Sequence, residues 1–259
     1  MTHAQIIASE LGLAESRVAA AIELIDEGNT IPFIARYRKE ATGSMDDGAL
    51  RTLGERLEYL RKLDAQKQTV RASIEEQGKW TDELASALEN AKTLAEVEDI
   101  YRPYRPKRKT RASIARAKGL EPLAKRLLEQ RTGDDPRALA KEYVTDEVPD
   151  EDAALAGARD IIAEDVSDSA SLRTTLRSLY RNTGMIESKA AKPEEKSVYE
   201  GYYDYAEPVA KAAGHRVLAL DRGEREGFLK VSVTVDSARA AEMCERRFVK
   251  NGSPCAAEV

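Results

Sequence analysis

Apolar residues recur at three- and four-residue intervals through most of the first 180 positions, which is the pattern of amphipathic helices. The most regular case is the series Leu50, Leu53, Leu57 and Leu60, which continues less strictly to Val70 and beyond. Its strict heptad part is short, and a free coiled coil needs a longer one. The pattern therefore predicts a long central helix whose leucine face is buried against other helices of the same chain.

The first thirty residues predict a pair of helices joined by a short turn. Ala8, Gly12 and Val18 have the spacing of a helix-turn-helix, in which a small residue lets the helices approach and glycine turns the chain. The second helix, however, carries acidic residues such as Glu23 and Asp26, which would meet a phosphate groove unfavourably. The pair is interpreted as a packing unit in preference to a base-reading one.

The pattern changes near the C-terminus. Residues 228–235 alternate with period two and are rich in β-branched side chains, which predicts a strand. The fold class is therefore all-α, with one small β element near the C-terminus. We predict a helical domain over residues 1–188, an exposed connector over 189–197, and a partial second segment over 198–259.

Composition is consistent with a helical protein and narrows the possible partners. Of 259 residues, 34% are charged and only 5% are aromatic, and the formal net charge is −5. An acidic chain can attract nucleic acid only through a local basic surface. The two cysteines match no zinc or redox spacing, and no signal peptide or membrane-spanning run is apparent, so a cytoplasmic location is expected.

The most prominent charged feature is a basic stretch without an acidic residue among its cations. The cations of this stretch are Arg102, Arg105, Lys107, Arg108, Lys109, Arg111, Arg116 and Lys118. Pro103 and Pro106 exclude a regular helix and favour an extended backbone. Such a segment could follow a phosphate backbone, with Tyr101 and Tyr104 stacking on bases.

A second interpretation of the basic stretch remains open. Its cations could instead pair with acidic faces of the same molecule, such as Glu96, Glu98 and Asp99 just upstream. Both interpretations can hold for different residues. A smaller basic patch contains Arg36 and Lys39, which would share one face of a continuous helix. It is a candidate for phosphate contact, although a solvated amphipathic face is the slightly favoured interpretation.

Residues that could carry catalysis are sparse. The two histidines, His3 and His215, lie far apart in the sequence, and there is no glycine-rich phosphate loop. The carboxylates are spread over predicted helices and are interpreted as solubilising charges. We therefore expect a protein that is not an enzyme and that uses no metal or cofactor.

Five segments resemble the Tex family of bacterial transcription accessory proteins. They occur in the same order as in that family and are residues 31–43, 97–111, 115–124, 201–208 and 215–223. The first reads IPFIARYRKEATG, and the second reads VEDIYRPYRPKRKTR. The Tex family is similar to a eukaryotic Spt-type elongation factor that travels with RNA polymerase.

The resemblance implies a function in transcription. In the family, the corresponding region is followed by an RNase-H-like domain, helix-hairpin-helix units and an OB-fold RNA-binding domain, which we expect to lie beyond this sequence. The chain is therefore expected to be a scaffold that positions those modules and contacts RNA or DNA weakly and without sequence preference. The alternative is a platform that docks on RNA polymerase or its associated factors without touching nucleic acid.

Overall fold

Helices dominate the computed structural model, which describes residues 1–107, 109–250 and 252–259. Fourteen α-helices and three strands lie within this described part of the chain. The all-α fold class with a small β element near the C-terminus is thus confirmed. The chain divides into two units, Met1–Tyr101 and Arg102–Val259, which are taken separately below.

The first unit is entirely helical. Its seven helices are α1 (His3–Leu11), α2 (Glu15–Asp26), α3 (Ile31–Tyr37), α4 (Lys39–Thr42), α5 (Asp47–Glu76), α6 (Asp82–Asn90) and α7 (Leu94–Tyr101). Between α1 and α2 the chain turns at Gly12, whose φ of 66° is a left-handed conformation that glycine adopts without strain. Ala8 and Val18 are both buried, as the interpretation of this pair as a packing unit requires.

The long helix α5 carries the predicted leucine series. Asp46 begins it by accepting a hydrogen bond from the amide of Ala49 at 2.7 Å. Leu50, Leu53, Leu57 and Leu60 are each no more than 5% exposed, and they lie in one core with residues of α1, α2 and α3. The prediction of a buried intramolecular seam is confirmed.

The segment after Pro32 differs from the prediction in one respect. A single helix was expected through Lys39, but α3 ends at Tyr37, and Arg38 has φ −124° and ψ 30° before α4 begins at Lys39. The expectation that Arg36 and Lys39 share one face of a continuous helix is therefore wrong. Because Ile34 is fully buried, the outer side of α3 is left to Phe33, Arg36 and Tyr37.

The second unit combines seven helices with a small sheet. Its elements are α8 (Arg111–Ala117), α9 (Glu121–Glu129), α10 (Pro136–Lys141), α11 (Glu151–Ser167), α12 (Ala170–Thr183), β1 (Met185–Ala190), β2 (Asp204–Pro208), α13 (Gly214–Arg225), β3 (Leu229–Thr234) and α14 (Ser237–Phe248). Its main core is formed by α8 to α11 together with Cys255 near the C-terminus. Gly157 of α11 allows close packing there, since a Cβ would lie 2.4 Å from Leu120 Cδ1.

The three strands form an antiparallel sheet in the order β2–β1–β3. Ser188 of β1 faces Tyr205 on one side and Val231 on the other. The sequence predicted β3 but not β1 or β2, and the predicted connector begins inside β1, which extends to Ala190. On β3, which lies at an edge, the amide of Val231 donates to the Glu224 carboxylate of α13 at 3.0 Å. Within the described residues, no helix is both long and apolar enough to cross a membrane.

Candidate nucleic-acid interface

The basic stretch begins the second unit as an irregular segment between two helical pieces. Arg102–Tyr104 form a single 3₁₀ turn, so the extended backbone expected around Pro103 is not found there. The described residues between Arg105 and Thr110 belong to no regular helix, as the two prolines predicted. Thr110 ends the segment by capping α8, with a reciprocal hydrogen bond to Ser113. Arg108, one of the predicted site residues, lies outside the described residues.

A row of carboxylates on α11 lies against this segment. Asp160, Glu164 and Asp168 follow one another at four-residue intervals and therefore share one face of the helix, and Asp165 lies beside them. These side chains, some fifty residues further along the chain than the cations, are the anchors of the basic stretch. We refer to Asp160, Glu164, Asp165 and Asp168 as the acidic row.

Two cations converge on Asp168, the residue that caps the C-terminal end of α11. Arg102 Nε donates to Asp168 Oδ1 at 2.7 Å, and Lys107 Nζ contacts the other carboxylate oxygen. The Asp168 side chain is only 7% exposed and lies at the negative end of a helix dipole. A carboxylate in that position is unfavourable without opposite charge, so Arg102 and Lys107 have a structural role.

Glu164 has three donors, of which Lys107 is shared with Asp168. Thr110 Oγ1 donates at 3.0 Å, Lys107 Nζ lies 3.1 Å away, and Arg116 forms an ion pair with the same carboxylate. Burial alone would raise the pKa of Glu164, but the hydrogen bonds from Arg116, Lys107 and Thr110 outweigh it and lower the pKa. Arg116 also contacts Asp165 at 2.7 Å, so it too is held internally.

The remaining cations of the stretch are closer to solvent. The Arg111 side chain is 87% exposed, and its contact with Asp160 is long at 3.4 Å. Lys109 is exposed, and no ion pair involves it among the described residues. Arg105 is also exposed, whereas Lys118 Nζ donates to the carbonyl of Glu147 at 2.9 Å. The stretch therefore has an anchored part and an exposed part.

The two tyrosines predicted to stack on bases are partly buried rather than open. In the first unit, the Tyr101 hydroxyl lies 2.9 Å from the hydroxyl of Ser73, which holds the ring against α5. In the second unit, Tyr104 belongs to the 3₁₀ turn and is likewise half-buried. Neither ring presents an open face comparable with that of Tyr37, whose side chain is 62% exposed.

The smaller patch lies in the first unit. Arg36 and Lys39 are both exposed, on α3 and at the start of α4 respectively. Between them, Arg38 places its Cζ atom 5.8 Å from the centre of the Phe33 ring. Phe33 and Arg38 were not among the site residues predicted from the sequence, although Phe33 precedes this pair and Arg38 lies between its members.

The acidic row was the main feature of the site that was not predicted from the sequence. The sequence does contain a pattern that predicts it, because carboxylates at positions 160, 164 and 168 lie on one face of a helix. The carboxylates proposed as internal partners lay upstream, and Glu96 among them caps α7 by accepting from the amides of Lys92 and Thr93. Across the described residues, no group of three or more histidine, cysteine or carboxylate side chains is arranged to hold a metal ion.

These features define a mainly helical protein with a basic surface segment anchored on an acidic helix. The family model "Tex-like protein N-terminal domain" matches residues 1–75, and the model "Tex central region-like" matches residues 131–254. The chain belongs to the Tex family.

Three relatives illustrate the similarity. An uncharacterized protein of Bacillus subtilis, YdcI, is 44% identical over 98% of this chain and 36% of its own length. The "Transcriptional accessory protein Tex" of Neisseria gonorrhoeae is 45% identical over 90% of this chain and 31% of its own. The human "S1 RNA-binding domain-containing protein 1" is 30% identical over 93% of this chain and 25% of its own. The chain thus spans about a third or less of the length of these relatives.

Proposed function

We propose that this chain is a helical scaffold with a function in transcription, and that the exposed part of its basic stretch contacts the phosphates of RNA or DNA. Membership of the Tex family supports the transcription role, because one relative is named a transcriptional accessory protein. The name of a human relative refers to RNA binding, which supports nucleic acid as a partner. RNA polymerase or factors associated with it are the candidate protein partners.

One observation carries the phosphate contact. The acidic row fixes Arg102, Lys107 and Arg116, which lie on either side of Lys109 and Arg111 in the sequence. The side chains of Lys109 and Arg111 are exposed to solvent, and neither is buried in an internal ion pair. On a protein of net charge −5, they create a local field of the sign that phosphate requires.

The experiment is a salt-dependent binding measurement on the double variant Lys109→Glu, Arg111→Glu. The wild-type chain is expected to bind RNA and DNA oligonucleotides without sequence preference, with Kd of ~10⁻⁴–10⁻⁶ M at physiological salt. The variant should bind much more weakly. Losing two phosphate contacts should also reduce the slope of log Kd against log salt by roughly 1.4 to 1.8. Fluorescence anisotropy at four salt concentrations measures both.

The matched control is Lys196→Glu, Lys211→Glu, which makes the same charge change at two exposed lysines of the second unit. The control should bind almost as the wild type does and should keep the wild-type melting temperature. The double variant loses the long contact between Arg111 and Asp160, but it should keep the wild-type helical content. Equal losses of affinity in the two double variants would show that only net charge matters, and the proposed surface would then be wrong.

We also propose that the chain is not an enzyme, so oligonucleotides incubated with it and Mg²⁺ should stay intact.

A second candidate function is docking of a protein without nucleic-acid contact. A cavity of about 300 Å³ between α8 and α11 favours it. Its lining includes the apolar side chains of Ile114, Leu120 and Val148, with Arg111 and Lys118 among the polar ones. If the wild-type chain binds no nucleic acid even at low salt, the phosphate role is refuted and the docking function is the one to pursue.

A further inference from the structure

The first unit presents aromatic rings and cations together on its surface. Phe33 and Tyr37 of α3 are 38% and 62% exposed, so both rings are accessible from solvent. Arg36, Arg38 and Lys39 surround them and are exposed as well. We call these five residues the α3 surface.

The rings and guanidinium groups of the α3 surface are arranged in contact. The ring centres of Phe33 and Tyr37 lie 5.1 Å apart with their planes at 47°. Arg36 Cζ is 6.0 Å from the centre of the Tyr37 ring, and Arg38 Cζ is 5.8 Å from that of Phe33. Contacts of this kind are weak at exposed positions, so a ligand can displace them.

The backbone holds this arrangement in place. Ile34, which is fully buried, fixes α3 on the core of the first unit and leaves Phe33 and Tyr37 outside. The break at Arg38 turns its side chain back towards Phe33, where a continuous helix would have directed it elsewhere. The surface is therefore built by the fold and is not a chance grouping of long side chains.

The charges of the α3 surface differ from those of the basic stretch. Among the described residues, no ion pair involves Arg36, Arg38 or Lys39. In the basic stretch, by contrast, Arg102 and Lys107 are both held by Asp168. Neighbouring positive charges without carboxylate partners repel one another, and binding a polyanion relieves that repulsion.

We propose that the α3 surface binds single-stranded RNA or DNA, with bases stacking on Tyr37 and Phe33 and phosphates contacting Arg36, Arg38 and Lys39. The proposal rests on the proposed function in taking nucleic acid as the partner, but it assigns a second site in the other unit. Exposed rings beside cations are how proteins bind single strands without sequence preference. A duplex keeps its base faces stacked and cannot offer them to Tyr37.

An acidic peptide would satisfy the cations but would leave the ring faces uncovered. The strong exposure of Tyr37 therefore favours a ligand with flat, stackable groups spaced along an anionic backbone. Single-stranded nucleic acid has both properties.

The experiment measures binding of fluorescent ten-nucleotide oligouridine, the matching oligodeoxythymidine and a duplex of equal length to the whole chain. Tyr37→Leu removes the ring but keeps an apolar side chain of similar reach. It should weaken single-strand binding roughly 5- to 150-fold, the range expected for losing one stacked base. Duplex binding and the melting temperature should stay unchanged, because Tyr37 is exposed and the duplex does not stack on it.

Two controls match the aromatic and charge changes. Tyr180→Leu removes a 40% exposed tyrosine from α12 in the second unit and should leave binding unchanged. Arg36→Gln, Arg38→Gln should weaken single-strand binding and make it less dependent on salt. The control Lys79→Gln, Lys92→Gln removes two exposed charges elsewhere in the first unit. It should change neither the affinity for single strands nor its dependence on salt.

The outcomes separate this proposal from the preceding one. If Tyr37→Leu binds single strands as tightly as the wild type, while Lys109→Glu, Arg111→Glu loses binding, the α3 surface is refuted and the phosphate role of the basic stretch stands. The reverse pattern supports the α3 surface alone. Binding of a glutamate-rich peptide that competes with oligouridine and is lost equally in Tyr37→Leu would assign the surface to a protein partner and overturn the proposal.

Discussion

At the scale of single residues, burial gives the two cysteines different chemistry. Cys244 on α14 is partly exposed, whereas Cys255 is fully buried in the main core of the second unit. Burial, and after it the charge of Asp134, raises the pKa of the Cys255 thiol. Because the thiolate is the reactive form, both effects make Cys255 slow to react.

We therefore predict that iodoacetamide at pH 8 modifies one cysteine of the folded chain quickly and the other only on unfolding. Peptide mass spectrometry should place the fast modification on Cys244. The variant Cys244→Ser should lack the fast phase, and both thiols should react at similar rates in denaturant. Rapid labelling of Cys255 in the folded chain would contradict the packing of the C-terminal segment described above.

At the scale of elements, α11 and the basic stretch stabilise each other through charges of opposite sign. Glu164 has a lowered pKa, so its contribution to stability is fully present above the ordinary value of 4.5 and is lost as the pH falls through the lower folded value. For Asp165, burial raises the pKa despite the opposing charge of Arg116, so its effect has the opposite sign. Protonating Asp165 removes the unfavourable free energy of burying its charge and so stabilises the folded state, whereas protonating Glu164 weakens its ionic hydrogen bonds and destabilises the folded state.

We predict that Glu164→Gln lowers the free energy of unfolding by about 1–3 kcal/mol at pH 7, because charged hydrogen bonds at a side chain only 14% exposed are lost. The difference from the wild type should shrink as the pH is lowered below 4.5, where the wild-type carboxylate also becomes protonated. Urea denaturation at several pH values measures both effects.

Glu242→Gln provides the control, since it breaks an exposed pair with Arg246 on α14. Pairs of this kind contribute about 0.3–0.5 kcal/mol at most positions. If the two variants lost the same small amount at pH 7, the acidic row would have no special role in stability.

Local regularity decided which elements could be predicted from the sequence. The leucine series of α5 repeats for many turns, so both the helix and its buried face could be predicted. Strand β1 reads MIESKA and pairs on both sides, but it lacks the β-branched alternation that made β3 recognisable. Helix α13 begins at Gly214 and contains Gly223, residues that weaken a helical pattern, and it was not predicted.

The candidate site was predictable only in part, because some of its contacts join residues that are distant in the sequence. The density of cations identified the basic stretch, but which of them are anchored depends on α11, some fifty residues away. The helix breaks at Arg38, between α3 and α4, and this break rearranges the smaller patch. It could not be predicted, because no proline or glycine occurs at that position.

At the scale of the whole molecule, each unit has its own core. The cluster that contains Ile7, Ile34 and Leu57 draws only on the first unit, and the cluster that contains Leu123 and Ile161 draws only on the second. The smaller cluster beside the sheet also lies within the second unit. Burial of apolar surface, the main stabilising contribution to folding, is therefore available to each unit separately.

We predict that residues 1–101 and 102–259, expressed as separate fragments, each fold into a helical protein with a cooperative thermal transition. Circular dichroism of each fragment measures the helix content and the melting temperature. In the first fragment, Leu57→Ala should lower the free energy of unfolding by about 2–5 kcal/mol, the range for truncating a buried leucine.

In the second fragment, Leu218→Ala should have little effect, because this leucine of α13 is 66% exposed. A fragment without a cooperative transition would show that its core is incomplete on its own.

The contact between Glu224 and Val231 has a consequence for self-association. An edge strand normally offers free amide and carbonyl groups to a strand of another molecule, which is how sheets grow into aggregates. On β3, the Glu224 carboxylate occupies the amide of Val231 and places a negative charge beside the edge. An incoming strand would have to displace that carboxylate and leave it without its donor, so the sheet resists extension at this position.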